Sequence, residues 1–272
     1  MIYMVFIAKN YIKLISEDFR IVNKDGIEVP FRLKEAQNDF IYKLTGRDVI
    51  LKARQLGFSA LILAIATVKF IYGKNERIVC ISHETSATQR LLDRVKYYIS
   101  CFEKKAGAKI PMKYNSRSEM AFTDRNNSFY IGSAGSKEFG RGDTISFLHL
   151  SEGAFYDDMQ SLFTGVMQAV TPTGMVFIES TANGFNFFRD FWLRTKLGEN
   201  GFKDHFYSPK WEYSDEFLAM KKKELMQMFS QEYPMTDVEA FITSGNLYFD
   251  NLALQYYLQN VKEQITSNLV YV

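Results

Sequence analysis

Lys52-Ala53-Arg54-Gln55-Leu56-Gly57-Phe58-Ser59 gathers two cations, a glycine and a hydroxyl between a strand-like segment at 48–51 and an apolar run at 60–66. A polyphosphate needs that combination: backbone N–H groups, a cation, and a hydroxyl that helps hold Mg²⁺. Strand, tight loop and helix are also the setting of the P-loop pattern G-x-x-x-x-G-K-[ST]. Gly57 and Ser59 stand where its late glycine and hydroxyl belong. Phe58 takes the lysine's slot, and Lys52 stands at the front of the loop instead. The chemistry requires charge near the phosphates rather than one sequence slot, and Lys52 can fold back over them from the opposite side. Arg54 is a second cation of the same loop. The stretch also reads as a strand ending in exposed basic residues before a helix.

Other segments add to this one. Phe147-Leu-His-Leu-Ser151-Glu152 is a buried strand ending at a glutamate. In the Walker B arrangement an aspartate orders Mg²⁺ and the glutamate polarises the attacking water. Glu152 fits the second role; Ser151 replaces the aspartate and can hold a metal-bound water without supplying charge. Val176-Phe-Ile-Glu-Ser180-Thr181-Ala182 runs a strand into small and hydroxyl residues, suited to sensing a terminal phosphate or simply to making a turn. Phe31 and Gln37 precede the loop, offering a ring to stack on adenine and an amide for its edge; the alternative is a helix N-terminus with Phe31 in the core. Arg141, in a loop with Gly135, Gly140 and Gly142, can reach a phosphate of its own or a neighbouring subunit.

Strand-like segments at 48–51, 77–82, 128–133, 146–150, 175–180 and 203–207 must position these groups. Helix-like ones lie at 33–44, 59–71, 86–102 and 159–169. Such alternation predicts an α/β fold, a mainly parallel sheet with helices on both faces. Ligands of such sheets bind at the carboxyl ends of the strands, where every segment above falls. Beyond 207 the pattern turns helical: a charged helix at 215–229, a capping box at Thr236–Glu239 opening a short helix, and a helix at 252–266. The expected division is a core at 1–208, with an N-terminal extension read as a peripheral strand or helix, and a helical linker or lid at 209–272.

With 47% hydrophobic and 24% charged residues, the 272-residue chain has ordinary globular composition. A net charge of +2 advertises no global field for nucleic acid. Two cysteines are too few for a disulfide framework. The apolar N-terminus is too short to span a bilayer, which takes about 20 residues, so no membrane partner is expected.

Together and in this order, these segments resemble the ATPase half of a viral, bacteriophage-type, DNA-packaging terminase large subunit. Its phosphate loops take the form R-Q-x-G-x-S, and some members carry the lysine at the front. Ser151-Glu152 resembles variants of its acidic motif, Ser180-Thr181-Ala182 its coupling motif, and Phe31 with Gln37 its adenine segment. Gln231-Glu-Tyr-Pro234, Glu239-Ala-Phe241 and Ser244-Gly245 resemble the close of its ATPase region.

The resemblance implies a P-loop NTPase of the additional-strand, catalytic-glutamate type with a small helical C-terminal subdomain. It implies ATP and Mg²⁺ as ligands, hydrolysis coupled to translocation of double-stranded DNA into a procapsid, and a pentameric ring on a portal protein with a small terminase subunit. Work in the host cytoplasm, outside the mature virion, follows. The loop 52–59 then binds phosphates, Ser59 and Ser151 face the metal, and Glu152 activates water. Arg54 and Arg141 are the arginines for cis and trans roles, in either assignment. The family's nuclease domain, with clustered aspartates, has no counterpart after Phe249, so no cutting activity is expected.

DNA held by its phosphates calls for basic residues. Positions 90–125 carry nine basic and four acidic residues, and Lys104, Lys105, Lys109, Lys113 and Arg117 are the candidates there, or else a solvated helix and loop. A helicase-like ATPase and a non-catalytic, nucleotide- or DNA-binding structural relic are the rival readings. The first should bring a second motor domain; Phe58 and Ser151 favour the second.

Overall fold

The computed structural model describes residues 2–23, 25–134, 144–242 and 260. Helix α1 (Ile2–Asp18) leads into a small antiparallel pair, β1 (Arg20–Val22) and β2 (Glu28–Pro30), and then α2 (Glu35–Lys43). The alternation expected from the sequence follows: β3 (Arg47–Lys52), α3 (Phe58–Tyr72), β4 (Arg77–Ser82) and α4 (Thr85–Ala106). After a meander of β5 (Met112–Asn115), β6 (Glu119–Phe122) and β7 (Asn127–Ser133) come β8 (Ile145–Ser151), α5 (Met159–Met167) and β9 (Val170–Ser180). Helix α6 (Phe187–Lys196) and β10 (Lys203–Tyr207) complete this part, and α7 (Asp215–Leu225), α8 (Phe229–Glu232) and α9 (Asp237–Ile242) follow.

Eight strands form one sheet in the order β10-β3-β9-β8-β4-β7-β6-β5. The six from β10 to β7 are parallel, and β6 and β5 add antiparallel at one edge. Side chains alternate between two apolar clusters, as a strand's period of two requires. Ile50, Cys80, Phe147 and Phe177 enter one cluster; Val49, Leu51, Ile81, Leu148, Leu150, Val176 and Ile178 enter the other. Helix α3 covers the first face and is apolar nearly all round, because α1, α2 and α4 enclose its other sides. Phe188, Phe191 and Trp192 of α6, with Met159 and Val166 of α5, cover the second.

The sheet places β9 between β3 and β8. The strand feeding the phosphate loop is thus separated by one strand from β8, which ends just before Glu152. Tyr213, Leu218, Phe229 and Tyr233 join the α3 cluster, and Ala240 and Phe241 join the other. Residues on both sides of the expected 208/209 division therefore share cores. At the expected capping box, Glu239 N donates to Thr236 Oγ1 at 3.1 Å, and Glu239 Oε2 accepts from Met235 N, the residue before the cap, at 2.9 Å. The helix expected at 252–266 lies, but for residue 260, outside the described residues, as do Ser244-Gly245.

Candidate active site

Loop 53–57 crosses from β3 to α3 with two left-handed residues, Gln55 at φ 62° and Gly57 at φ 79°. Left-handed residues within a turn are the backbone form from which anion nests are built. Neighbouring elements pin it: Ala53 N donates to Tyr207 O at 2.9 Å, and Arg54 N to Glu232 O at 2.9 Å. From below, Gln37 Nε2 donates to Gly57 O at 2.9 Å and Leu56 O at 3.3 Å, while its Oε1 accepts from Lys34 N at 3.0 Å. The φ of 79° favours glycine at 57, and a Cβ there would also stand 2.8 Å from Gln37 Nε2 and disturb the brace.

These contacts match the alternative reading of the segment, a helix N-terminus with Phe31 in the core. Both ends of the Gln37 amide are occupied in bracing the loop and capping α2. Phe31 is buried beside Tyr98, with ring centroids 5.9 Å apart, and offers no face to a base.

Phe58 explains why the usual lysine slot is apolar. Its ring is wholly buried against Phe40 and Tyr207, at centroid distances of 5.7 and 4.7 Å. Leu56 and Ala53 are buried as well. A lysine at 58 would put an ammonium among rings. Phe58→Lys should therefore cost at least the roughly 3–5 kcal/mol of emptying a buried Phe site and should not rescue a chain lacking Lys52. Chemical denaturation and nucleotide binding of the single and double variants check this.

The cation comes from Lys52, on the same face of β3 as Ile50. Its Nζ lies 2.9 Å from Glu152 Oε1 and 3.3 Å from Glu179 Oε2. Burial works against the ammonium, but the two carboxylates outweigh it and raise its pKa above the ordinary lysine value. Glu179 is the residue that sequence reasoning missed. It sits in β9 directly opposite Ser151 of β8 and is wholly buried. Its Oε1 accepts from Ser59 Oγ at 2.7 Å and from Ser151 Oγ at 2.7 Å. His149 Nε2 stands 3.4 Å from the same oxygen, without a well-aligned hydrogen bond. Burial pushes the Glu179 carboxyl up; the Lys52 charge, then His149 and Ser151, hold it well below the usual carboxylate range. The signal was a charged residue inside an otherwise apolar strand, which must find partners when buried.

Glu152 has φ 56°, left-handed for a non-glycine residue, a conformation that costs on the order of 1–3 kcal/mol and gathers at functional sites. This turn places its carboxylate between Lys52 and the end of β9. Its Oε2 accepts from Ser180 Oγ and Thr181 N, both at 3.3 Å. Ser180 Oγ in turn accepts from Ala154 N at 3.1 Å. Ser180, Thr181 and Ala182 are buried. Asn183 and Asn186, which caps α6, both donate to Ala154 O, at 3.2 and 2.8 Å. The residues after Glu152 and after β9 are thereby tied together.

A cleft of about 290 Å³ opens over this cluster, lined by Arg54, His83, Glu152, Phe155, Thr181 and Glu232. Arg54 Nη1 pairs with Glu232 Oε2 at 2.8 Å. A larger cleft, about 730 Å³, lies along α4 toward its C-terminal end, but its Lys105 and Asp18 are already paired and no phosphate loop adjoins it. Size alone does not make it the site. Arg141 lies outside the described residues.

The basic residues expected on DNA sit away from this cluster. Helix α4 starts just past β4 at the site and runs 22 residues, about 33 Å, so Lys104 and Lys105 lie at its far end. Lys105 is paired with Asp18 at 2.6 Å and Lys109 with Glu103 at 2.7 Å, which offsets part of the expected positive charge. Lys104, Lys113 and Arg117 are exposed.

No protein-family model matches the sequence. Among solved structures the chain is similar to the large terminase ATPase domain of Thermus phage P74-26, with TM-score 0.58 and 18% identity over 73% of this chain and 91% of that one. It is similar to the HK97 bacteriophage large terminase, with TM-score 0.62 and 18% identity over 87% of this chain and 50% of that one. A third likeness is to the large terminase of a thermophilic bacteriophage in complex with ATP-γ-S, with TM-score 0.55 and 12% identity over 74% of this chain and 51% of that one. The chain spans about half the length of these last two. At such identities the likeness shows the fold, that of terminase ATPase domains.

Proposed function

We propose that this chain is the ATP-hydrolysing motor part of a phage DNA-packaging terminase large subunit. The observation that carries the reading is the meeting of Lys52, Ser59, Ser151, Glu152 and Glu179 at the carboxyl ends of β3, β8 and β9, over a braced phosphate loop. The likeness to terminase folds supports it.

In this reading the amides of 55–59, beyond the Ala53 and Arg54 N–H groups that pin the loop, and the Lys52 ammonium hold the β- and γ-phosphates of ATP. Lys52 meets them by giving up part of its contact with the carboxylates. Glu152 accepts a proton from the attacking water, a role for which its placement beside Lys52 and the end of β9 is suited. The hydroxyls of Ser59 and Ser151, with the Glu179 carboxylate behind them, form a hard, oxygen-only set, and Glu179 Oε2 accepts no hydrogen bond among the described residues. That set fits Mg²⁺, which binds through one or two carboxylates plus waters and substrate oxygens. When bound, Mg²⁺ supplies charge neutralisation of the phosphate oxygens. Loss of the terminal phosphate reaches Ser180–Ala182 through the Glu152 contacts, and from there the start of α6. Arg54, on the loop itself, and Arg141 are the arginines that neutralise transition-state charge.

Double-stranded DNA is the polymer moved, with Lys104, Lys113 and Arg117 as exposed contacts and Lys105 and Lys109 available once their acidic partners yield. A pentameric ring, a portal protein and a small subunit complete the machine, which works in the host cytoplasm. Among the described residues no helix is long and apolar enough to cross a membrane. Steady-state ATP hydrolysis with and without double-stranded DNA tests the reading. DNA should stimulate turnover; hydrolysis indifferent to DNA contradicts translocation.

A further inference from the structure

The site lacks an acid where the Mg²⁺-ordering aspartate is expected: β8 ends in Ser151 before Glu152. The adjacent strand compensates. Glu179 is the direct cross-strand partner of Ser151, and its longer side chain reaches the point between β8 and the start of α3. One oxygen there accepts from both candidate metal hydroxyls, Ser59 Oγ and Ser151 Oγ, at 2.7 Å each. The carboxylate is wholly buried, and its other oxygen has the 3.3 Å approach of Lys52 but no hydrogen bond among the described residues.

We propose that Glu179 supplies the negative charge of the metal side of this site. It acts from β9 as a positioning residue, fixing the Ser59 hydroxyl with its lone pairs toward the cation and replacing the carboxylate absent at Ser151. The inference rests on the nucleotide reading above. It assigns to the intervening strand two tasks side by side, charge at Glu179 and contact with Glu152 through Ser180 and Thr181.

The test compares ATP affinity with and without Mg²⁺, using a fluorescent ATP analogue with EDTA as the metal-free arm. Glu179→Gln keeps size and removes charge. It should cut the Mg²⁺-dependent gain in affinity by about 10–100-fold, the usual effect of losing a group that orients a metal ligand. Binding in EDTA should not weaken. Ser151→Asp added to Glu179→Gln returns the carboxylate to β8 and should restore most of the gain. Equal weakening with and without Mg²⁺, an unchanged gain, or no recovery in a folded double variant overturns the proposal.

Should Glu179→Gln not fold, Glu179→Asp decides. It keeps the charge near Lys52 but draws it back by one carbon. A metal role predicts a reduced Mg²⁺ gain; a counter-charge role predicts none. Failure of the unaltered chain to bind the analogue at all removes the nucleotide reading and this inference with it. Normal binding by that chain with an unchanged gain in the variants removes only the inference.

Discussion

Glu152→Gln is expected to lower ATP turnover by about 10²–10⁴-fold, the range for loss of a general base, with ATP affinity nearly unchanged. The amide keeps the shape of the carboxylate, and its oxygen can still face either Lys52 or the Ser180–Thr181 end of β9. It cannot take up the proton of an attacking water. The left-handed backbone at residue 152 makes the position costly to build, and the side chain it aims reaches Lys52 and β9 together. A purely structural role predicts a different pattern: a loss of stability and little change in turnover per folded molecule. Steady-state turnover beside equilibrium binding separates the two.

Lys52→Ala should be at least as damaging, for two reasons that act together. It removes the only cation among the described residues placed between Glu152 and Glu179, and with it the charge available to the phosphates. Losses of roughly 10²–10³-fold in turnover are typical for one electrostatic donor at a reacting centre. It also leaves Glu179 buried without its main partner, and breaking a buried pair costs about 3–5 kcal/mol.

The sign of the pH dependence follows. In the native chain burial raises the Glu179 carboxyl, yet Lys52 and its neighbours hold it below the usual range. Its stabilising contribution is therefore complete above the unfolded-state carboxylate pKa and is lost only as the pH falls far below it. Without Lys52, burial dominates and the carboxyl moves upward. Folding then favours the protonated acid, so the stability deficit of Lys52→Ala should grow as pH rises and shrink as it falls. Thermal unfolding at about pH 5 and about pH 8 reads this directly; a deficit independent of pH contradicts the pairing.

Much of the sheet was legible because its strands carry apolar periodicity bounded by turn residues. Strands β4 and β10 keep the bounds 77–82 and 203–207. Strand β9 begins at Val170 rather than 175, because Thr171-Pro-Thr-Gly174 reads as a turn yet lies extended, with Val170 opposite Ile145. The β5–β6 pair was not expected, since Lys113, Tyr114 and Asn115 are exposed on the edge and show no apolar alternation. Helix α6 was also not expected; its buried Phe188, Phe191, Trp192 and Thr195 have helical spacing within a run rich in aromatics.

At the site, the residues found were those whose type alone suggests phosphate chemistry. Glu179 was passed over because its partners Ser59, Ser151 and Lys52 lie on other elements, and only the strand order brings them together. The amide of Gln37 suits adenine's edge or a helix N-terminus equally by type, and it faces inward to Leu56 and Gly57, a choice that side-chain type cannot make.

In the proposed reading Lys52, from the front of the loop, makes this a working nucleotide site. Calorimetric titration with Mg²⁺ and a slowly hydrolysed ATP analogue tests it most directly, since binding does not depend on assembly into a ring. One site per chain is expected, lost in Lys52→Ala. No binding by the native chain, or equal binding by a folded Lys52→Ala, contradicts it.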